Sequence, residues 1–363
     1  MRKKIKTVLG EIEPSALGLT SMDDALFYDG SAACLAARKS VSPDFCPREW
    51  LPMRDDEPVS LQNVGMLQRS ALLSQDAFRQ TDEKALEKEL RLYKAAGGQA
   101  ILSLGSGSIP CGLAAEAAQR LSASTGVHIV QACDLSGAWG QAPQGKTAQE
   151  YFAQVMGDLL DAPVMPGQLP ISLPHGGGDE DSALRAAARA AVETGLSLTV
   201  RLCGDSRRQT VCVSRALAEA GLSPERVVLA GLPLFTKPSR SAAIQDPSSV
   251  ALDTAFAQRQ LDSGYHLSVC FENAMGSELA GDYDCGDFLK FAGLYDLVEK
   301  GYCKQLVLGN GCRGKIMLHT SGGEGYCRLL YYVAPMLRST AGLSEFAMRQ
   351  MLVENPARIL AVS

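Results

Sequence analysis

Histidine is scarce in this sequence, whose 363 residues contain four: His128, His175, His266 and His319. No apolar run reaches the roughly 18 residues that a membrane-spanning helix needs. Charges of one sign do not form long runs, and the one basic cluster, Arg2-Lys3-Lys4, resembles a solvated chain end. A nucleic-acid-binding protein usually carries a basic stripe, which is missing here. We therefore expect neither a membrane nor a nucleic acid as partner.

Cysteine pairs with the CxxC spacing are also missing. The 11 cysteines are spread from Cys34 to Cys327, in an odd number and with no regular framework. That distribution favours reduced, mostly buried thiols over disulfides or a zinc-binding module. The basic N-terminus is not followed by the apolar segment of a signal peptide. The expected location is the cytoplasm.

The composition itself is typical of a folded domain with a large core. Hydrophobic residues make up 46% of the chain, charged residues 21%, and the net charge is −5. The length suits one barrel-sized domain, 1–363, that carries a few insertions.

Short apolar segments alternate with amphipathic ones along the whole chain. In Thr81–Ala96, for example, Leu86, Leu90 and Tyr93 share one helical face, with Thr81 as the expected cap. Ser206 is the expected cap of the helix that follows it. Eight apolar segments with repeated helix–glycine–strand punctuation predict a closed α/β barrel, the (β/α)₈ TIM barrel. The predicted strands are Leu17–Met22, Ala100–Leu104, Val127–Cys133, Gln168–Leu173, Leu196–Leu202, Arg226–Leu232, His266–Phe271 and Gln305–Leu308.

Two segments are longer than the connections that a simple strand–helix repeat needs. Residues 29–60 follow the first predicted strand and residues 233–248 follow the sixth. Both are predicted to be loop insertions on the C-terminal face of the barrel, where barrel active sites form.

Five local patterns occur in order at suitable spacing, and together they resemble the phosphotriesterase family of the amidohydrolase superfamily. The resemblance covers nearly the whole chain and implies a TIM barrel and metal-dependent hydrolysis of ester bonds. The patterns are Thr7-Val8-Leu9-Gly10 with Leu17–Met22, Glu89-Leu90-Arg91 to Gly98, Thr125–Val130, Gly322-Gly323-Glu324-Gly325-Tyr326 and Asn355-Pro356-Ala357-Arg358.

The resemblance also implies two divalent metals, typically zinc, which generate a hydroxide and polarise the scissile bond. The ligands expected are a His-x-His pair after strand 1, a carboxylated Lys on strand 4, one His each on strands 5 and 6, and an Asp on strand 8. None of these residues stands at its position here, so we expect no metal cofactor. The positions hold Asp23, Asp24 and Ala25, then Pro170, Arg201, Gly231 and Gly311.

Polar residues at or beyond the predicted strand ends are the candidates for a pocket. They are Asp23, Asp24, Asp134, Arg201, Glu272 and Asn310. The candidates for binding an anion are Arg201, Arg313 and Lys315. Two interpretations of Arg201 remain open: a clamp for a carboxylate or phosphate, and a salt bridge to Asp23 or Asp24 in the space of the metals.

Two functional hypotheses follow. The first is a metal-independent pseudoenzyme or binder of a small, possibly anionic molecule. The second is a hydrolase of esters, lactones or phosphoesters with a metal site rebuilt from Asp and Cys side chains. His175 and Cys133 are weaker candidates, since His175 lies in a glycine-rich loop and Cys133 has no evident base beside it. A homodimer is a further expectation that the resemblance suggests.

Overall fold

Eight parallel strands form the centre of the fold, which confirms the predicted TIM barrel. The computed structural model describes residues 3–38, 54–68, 71–132, 147–160, 162, 164–173, 180–236, 238–271 and 286–362. Each predicted strand is present, with ends that differ by at most three residues. The strands are β1 (Thr20–Asp24), β2 (Ala100–Ser103), β3 (His128–Gln131), β4 (Gln168–Leu173), β5 (Ser197–Leu202), β6 (Val227–Ala230), β7 (His266–Cys270) and β8 (Leu306–Gly309).

Backbone hydrogen bonds close the strands into a ring. β1 to β3 form one parallel sheet and β4 to β8 another. A parallel bridge between Ala132 and Gln168 joins β3 to β4. At the other junction Gly311 N donates to Asp23 O at 2.7 Å, and Ala25 N donates to Cys312 O at 2.9 Å. The carboxyl ends of all eight strands therefore face one opening, which we call the mouth.

Helices follow the strands and cover the outside of the barrel. The helices between consecutive strands are α1 (Glu83–Ala95), α2 (Cys111–Thr125), α3 (Ala148–Leu160), α4 (Glu180–Thr194), α5 (Ser206–Ala220), α6 (Ala255–Asp262) and α7 (Gly286–Glu299). Shorter helices are Ser31–Arg38, Val64–Leu67 and Arg240–Gln245. After β8 the chain is mostly helical, with α-helical Glu345–Arg349 and Asn355–Leu360 and π-helical turns at Leu329–Val333, Met336–Thr340 and Gln350–Glu354.

Two predicted helix caps are wrong by one residue. Asp82, not Thr81, caps α1, because its carboxylate accepts hydrogen bonds from Lys84 N and Ala85 N. Asp205, not Ser206, caps α5 in the same way. An Asp cap also brings a negative charge to the positive end of the helix dipole, which a hydroxyl does not.

The core has two layers. Inside the barrel, Met22, Leu102, Val130, Val228 and Val307 form one cluster of buried side chains. Outside it, alternate strand residues such as Leu169, Ile171 and Leu229 pack against the helices. Burial of one valine, leucine or isoleucine side chain stabilises the fold by about 1.5–3 kcal/mol.

The N-terminal end of the barrel is closed by the chain ends. A hairpin of two strands, Ile5–Thr7 and Gly10–Ile12, places Ile5 in the interior cluster together with Leu360. Lys4 and Val362 exchange backbone hydrogen bonds of 2.8 Å. Access to the barrel interior is thus restricted to the opposite end, the mouth.

The predicted insertions contain helices. Residues 29–60 include Ser31–Arg38, while 39–53 lie outside the described residues; residues 233–248 include Arg240–Gln245. No helix in the described ranges is both long enough and apolar enough to span a membrane.

Candidate functional site at the barrel mouth

An ion pair crosses the mouth from one side of the barrel to the other. Arg201 Nη2, from β5, donates to Asp23 Oδ1 at 2.8 Å and to Oδ2 at 2.7 Å, from β1. In an eight-stranded barrel β1 and β5 stand opposite each other, so this contact passes through the lumen. The Asp23 side chain is fully buried and that of Arg201 is 13% exposed. Of the two interpretations of Arg201, the structure shows the salt bridge to Asp23.

A second cation reaches the same carboxylate. Arg313, on the segment after β8, donates from Nη2 to Asp23 Oδ1, and its side chain is 10% exposed. Burial alone would raise the pKa of Asp23, but the charges and hydrogen bonds of Arg201 and Arg313 outweigh it and lower that pKa. Asp23 thus brings two guanidinium groups together at the mouth.

Glycine at the end of β8 makes room for Asp23. A Cβ atom on Gly309 would lie 2.6 Å from the Cβ of Asp23, far inside contact distance. Any side chain there would push Asp23 away from β8 and disturb the geometry of both ion pairs. The glycine at this position is therefore part of the arrangement that holds Asp23 in the lumen.

Asp24 lies in a different environment from its neighbour. Its Oδ1 accepts a hydrogen bond from Cys312 N at 2.8 Å and its Oδ2 one from Asn310 Nδ2 at 3.3 Å. The side chain is fully buried and no cation contacts it among the described residues. Burial raises its pKa from 3.8 to about 7, the nearby charge of Asp23 adds to the rise, and hydrogen bonds from Ser21, Cys312 and Asn310 oppose it.

Asn310 ties β1 to the segment after β8. Its Nδ2 donates to Ser21 Oγ at 3.2 Å and to Tyr326 O at 3.0 Å, and its Oδ1 accepts from Leu329 N at 2.7 Å. The Tyr326 hydroxyl donates to Ala25 O at 2.7 Å. Because Asn310 is 1% exposed and its amide is engaged at both ends, the structure supports a positioning role for it.

The structure separates Lys315 from the other anion-binding candidates. Lys315 Nζ lies 2.7 Å from Asp76 Oδ2, beside the start of α1. Arg313 and Lys315 therefore contact different carboxylates rather than one shared centre. Asp134, Glu272, Cys133 and His175 lie outside the described residues, so their part in the pocket stays a prediction.

Several residues of this network carry no clear signal in the sequence. Ser21 and Cys312 belong to the network because β1 lies beside β8 where the ring closes. The spacing of these residues in the sequence does not show that the two strands are neighbours. Gln80 joins the network because its Nε2 donates a hydrogen bond to the Tyr326 hydroxyl at 3.2 Å. Tyr326 alone could have been found, since it ends the glycine-rich pattern Gly322–Tyr326.

The described residues at the family's ligand positions do not form a site for two divalent metals. Among the described residues no three His, Cys, Asp or Glu side chains come together as a metal site would require. Arg201 extends across the lumen to Asp23. On β4, the side chain of Pro170 has no atom that can coordinate a metal. Gly231, after β6, has φ +83° and a Cβ there would lie 2.5 Å from Leu202 O, so this backbone admits no histidine at that position.

Comparisons with known proteins show which proteins this chain resembles. A model of the phosphotriesterase family matches residues 273–360. Curated relatives align over almost their full length: N-acetyltaurine hydrolase of Pongo abelii is 26% identical and that of Homo sapiens 25%, each with 98% of this chain and 97% of the relative covered.

Solved structures share the fold. The resiniferatoxin-binding protein of Rhodobacter sphaeroides superposes with a TM-score of 0.77 at 23% identity, over 98% of this chain and 94% of that one. The phosphotriesterase homology protein of Escherichia coli gives 0.67 at 15% identity, over 95% and 99%. The chain thus shares the barrel fold of phosphotriesterase-like proteins, and its residues 273–360 resemble the phosphotriesterase family.

Proposed function

We propose that the mouth of this barrel binds a small organic anion, a sulfonate or a carboxylate, and that it does so without a pair of divalent metals. The observation that carries the proposal is the convergence of Arg201 and Arg313 on one carboxylate, Asp23. Asp23 holds these two guanidinium groups side by side, where one anion can contact both of them. Guanidinium groups bind carboxylates, sulfonates and phosphates through paired N–H donors.

The position of the charge supports the proposal. Both guanidinium groups keep about a tenth of their side-chain surface exposed, while Asp23 is fully buried beneath them. An anion entering the mouth would thus meet the two cations before their shared carboxylate. In a site partly shielded from water, such a charge–charge contact is stronger than at an open surface.

The chemistry of the relatives is compatible with an anionic ligand. N-acetyltaurine, which names the curated relatives, carries a sulfonate. The Escherichia coli structure holds phosphate in its active site. We infer for this chain the same class of ligand, recognised by arginine side chains instead of metal ions.

A second candidate function is hydrolysis. It is favoured by the alignment with N-acetyltaurine hydrolases over 98% of this chain. Under this hypothesis the chain cleaves an ester, lactone, phosphoester or N-acyl bond at a metal site rebuilt with other ligands. Protein purified without chelator that holds stoichiometric zinc, manganese or iron and cleaves such substrates would establish this alternative.

The test of anion binding uses calorimetric titration with N-acetyltaurine and N-acetyl-β-alanine, and with the uncharged N-acetylethanolamine. We expect saturable binding of the two anions and none of the neutral compound. Arg313→Met should weaken anion binding at least roughly tenfold, since a hydrogen bond between charged groups contributes about 1.5–3 kcal/mol.

Arg215→Met is the matched control. Arg215 forms an exposed ion pair with Asp181 on the outside of the barrel, and its side chain is 51% exposed. This variant loses the same charge from the protein without altering the mouth. Equal affinity of Arg313→Met and Arg215→Met for both anions would refute the arginine clamp.

A further inference from the structure

A cavity of about 410 Å³ lies beside the mouth, between the start of α1 and the segment after β8. Asp76, Arg79 and Gln80, which precede α1, form one wall, and Lys315 and Leu318 belong to the other. The volume is within the range of small-molecule sites. None of the ion pairs at the mouth contributes to its lining, so the cavity is a separate feature.

The charges on the cavity wall are balanced. Asp76 and Lys315 form an ion pair of 2.7 Å across it, with 20% and 34% of their side chains exposed. Arg79 and Asp82 add one further charge of each sign. Among the described residues that line the cavity, the formal charges sum to zero, which favours a ligand that carries both a positive and a negative group.

Hydrogen-bond donors remain available on this wall. Lys315 has three N–H donors, and its contacts within the described residues use one of them. Gln80 is 1% exposed, and its Oε1 accepts no hydrogen bond from the described part of the chain, although its Nε2 donates to Ala25 O and Tyr326 Oη. Gln80 is thus fixed by its own contacts, while Lys315 can donate to a ligand.

The remaining wall is apolar. Val59, Leu61, Ala85 and Leu318 line the cavity, and Leu61 is 89% exposed at its rim. An exposed leucine next to an ion pair and a buried amide offers contact for a small hydrocarbon group.

We propose that this cavity is a second ligand site, which takes a small zwitterion, an amino acid with an apolar side chain or the corresponding amino sulfonate. The anionic group binds Lys315 and Arg79, and the ammonium group binds Asp76 and Asp82. The hydrocarbon part packs on Leu61 and Leu318. The site is independent of the anion site at the mouth.

Calorimetric titration with leucine tests the proposal. Two compounds that each keep one of leucine's charged groups serve for comparison: 4-methylpentanoate has the carboxylate alone, and 3-methylbutylamine has the ammonium group alone. We expect leucine to bind saturably and more tightly than either of these compounds, because both charges are recognised. Lys315→Met should weaken leucine binding at least roughly tenfold. Lys88→Met is the matched control, since Lys88 is exposed on α1 outside the cavity and should change nothing.

A cavity-filling variant covers the case in which Lys315→Met does not fold. Ser321→Trp adds a large side chain to the wall without removing a charge, and we expect it to abolish leucine binding. The proposal is overturned if leucine shows no saturable binding, if either of the two comparison compounds binds as tightly as leucine, or if Ser321→Trp or folded Lys315→Met binds leucine like the wild type.

Discussion

Removal of the Asp23 carboxylate is the sharpest test of the arrangement at the mouth. Asp23 accepts two hydrogen bonds from Arg201 and one from Arg313 while fully buried. Asp23→Ala leaves two cations facing each other with their shared anion gone. Breaking a buried ion pair by removing one partner costs about 3–5 kcal/mol, and two cations depend on this one. Some hydration through their exposed tenth will reduce the loss, so we expect about 3–5 kcal/mol in total.

The free energy of unfolding, from urea titration followed by circular dichroism, measures this loss. Asp181→Ala is the control: its partner Arg215 is half exposed, so the expected change is within about 1 kcal/mol. Sulfate provides a second measurement, because it can occupy the space of the lost carboxylate between the two guanidinium groups. It should stabilise Asp23→Ala more than the wild type, with sodium chloride at equal ionic strength as reference.

Two results would refute the argument. If Asp23→Ala is as stable as Asp181→Ala, Arg201 and Arg313 do not depend on Asp23. If sulfate stabilises Asp23→Ala and the wild type equally, the vacated position is not an anion site, and the proposed binding of anions at the mouth loses its physical basis.

Two further predictions concern Asp24 and Gly231. Because the pKa of Asp24 is raised in the folded state from 3.8 to about 7, the stability it contributes is complete below pH 4 and is lost as the pH rises to 7. The loss amounts to about 4 kcal/mol at 1.36 kcal/mol per unit. Asp24→Asn does not titrate, so its free energy of unfolding relative to wild type should rise by that order between pH 4 and pH 7; a difference that is constant with pH would contradict the prediction. Gly231→Ala, where Cβ meets Leu202 O, should lower stability by about 2 kcal/mol or more beyond Gly195→Ala, whose φ of +73° is similar but whose Cβ meets nothing within 4 Å. Equal urea midpoints of the two alanine variants would show that the backbone at Gly231 can relax.

The overall fold could be predicted because its information is local. Each strand of the barrel is a short apolar segment, and the glycines that end α2, α4 and α5 mark the repeats. The bounds of β4, Gln168–Leu173, agree with the prediction at both ends. The helix caps failed by one residue, since adjacent Thr-Asp and Asp-Ser pairs offer two capping side chains and only the backbone angles decide between them.

The composition of the mouth was predictable in part. The absence of histidine at the ligand positions, and the presence of Asp23, Arg201 and Asn310 there, follow from alignment of the strand ends with the family pattern. The pairing was not predictable. Whether Arg201 would contact Asp23 or Asp24 depends on the irregular register of β1 against β2 between Ser21 and Asp24, which turns the two carboxylates toward different surroundings.

The sequence by itself therefore determined the barrel and the set of side chains available at its mouth, because periodicity and strand ends are properties of the linear chain. The tertiary structure decided which of those side chains contact one another. Closure of the ring brings Arg313 to Asp23, while Lys315, two residues later, turns to Asp76 at a separate cavity. It also gives adjacent aspartates opposite pKa shifts, since burial raises the pKa of Asp24, whereas the two cations that contact the equally buried Asp23 lower its pKa. Such differences arise from contacts across the barrel between residues far apart in the chain, and spacing in the sequence does not encode them.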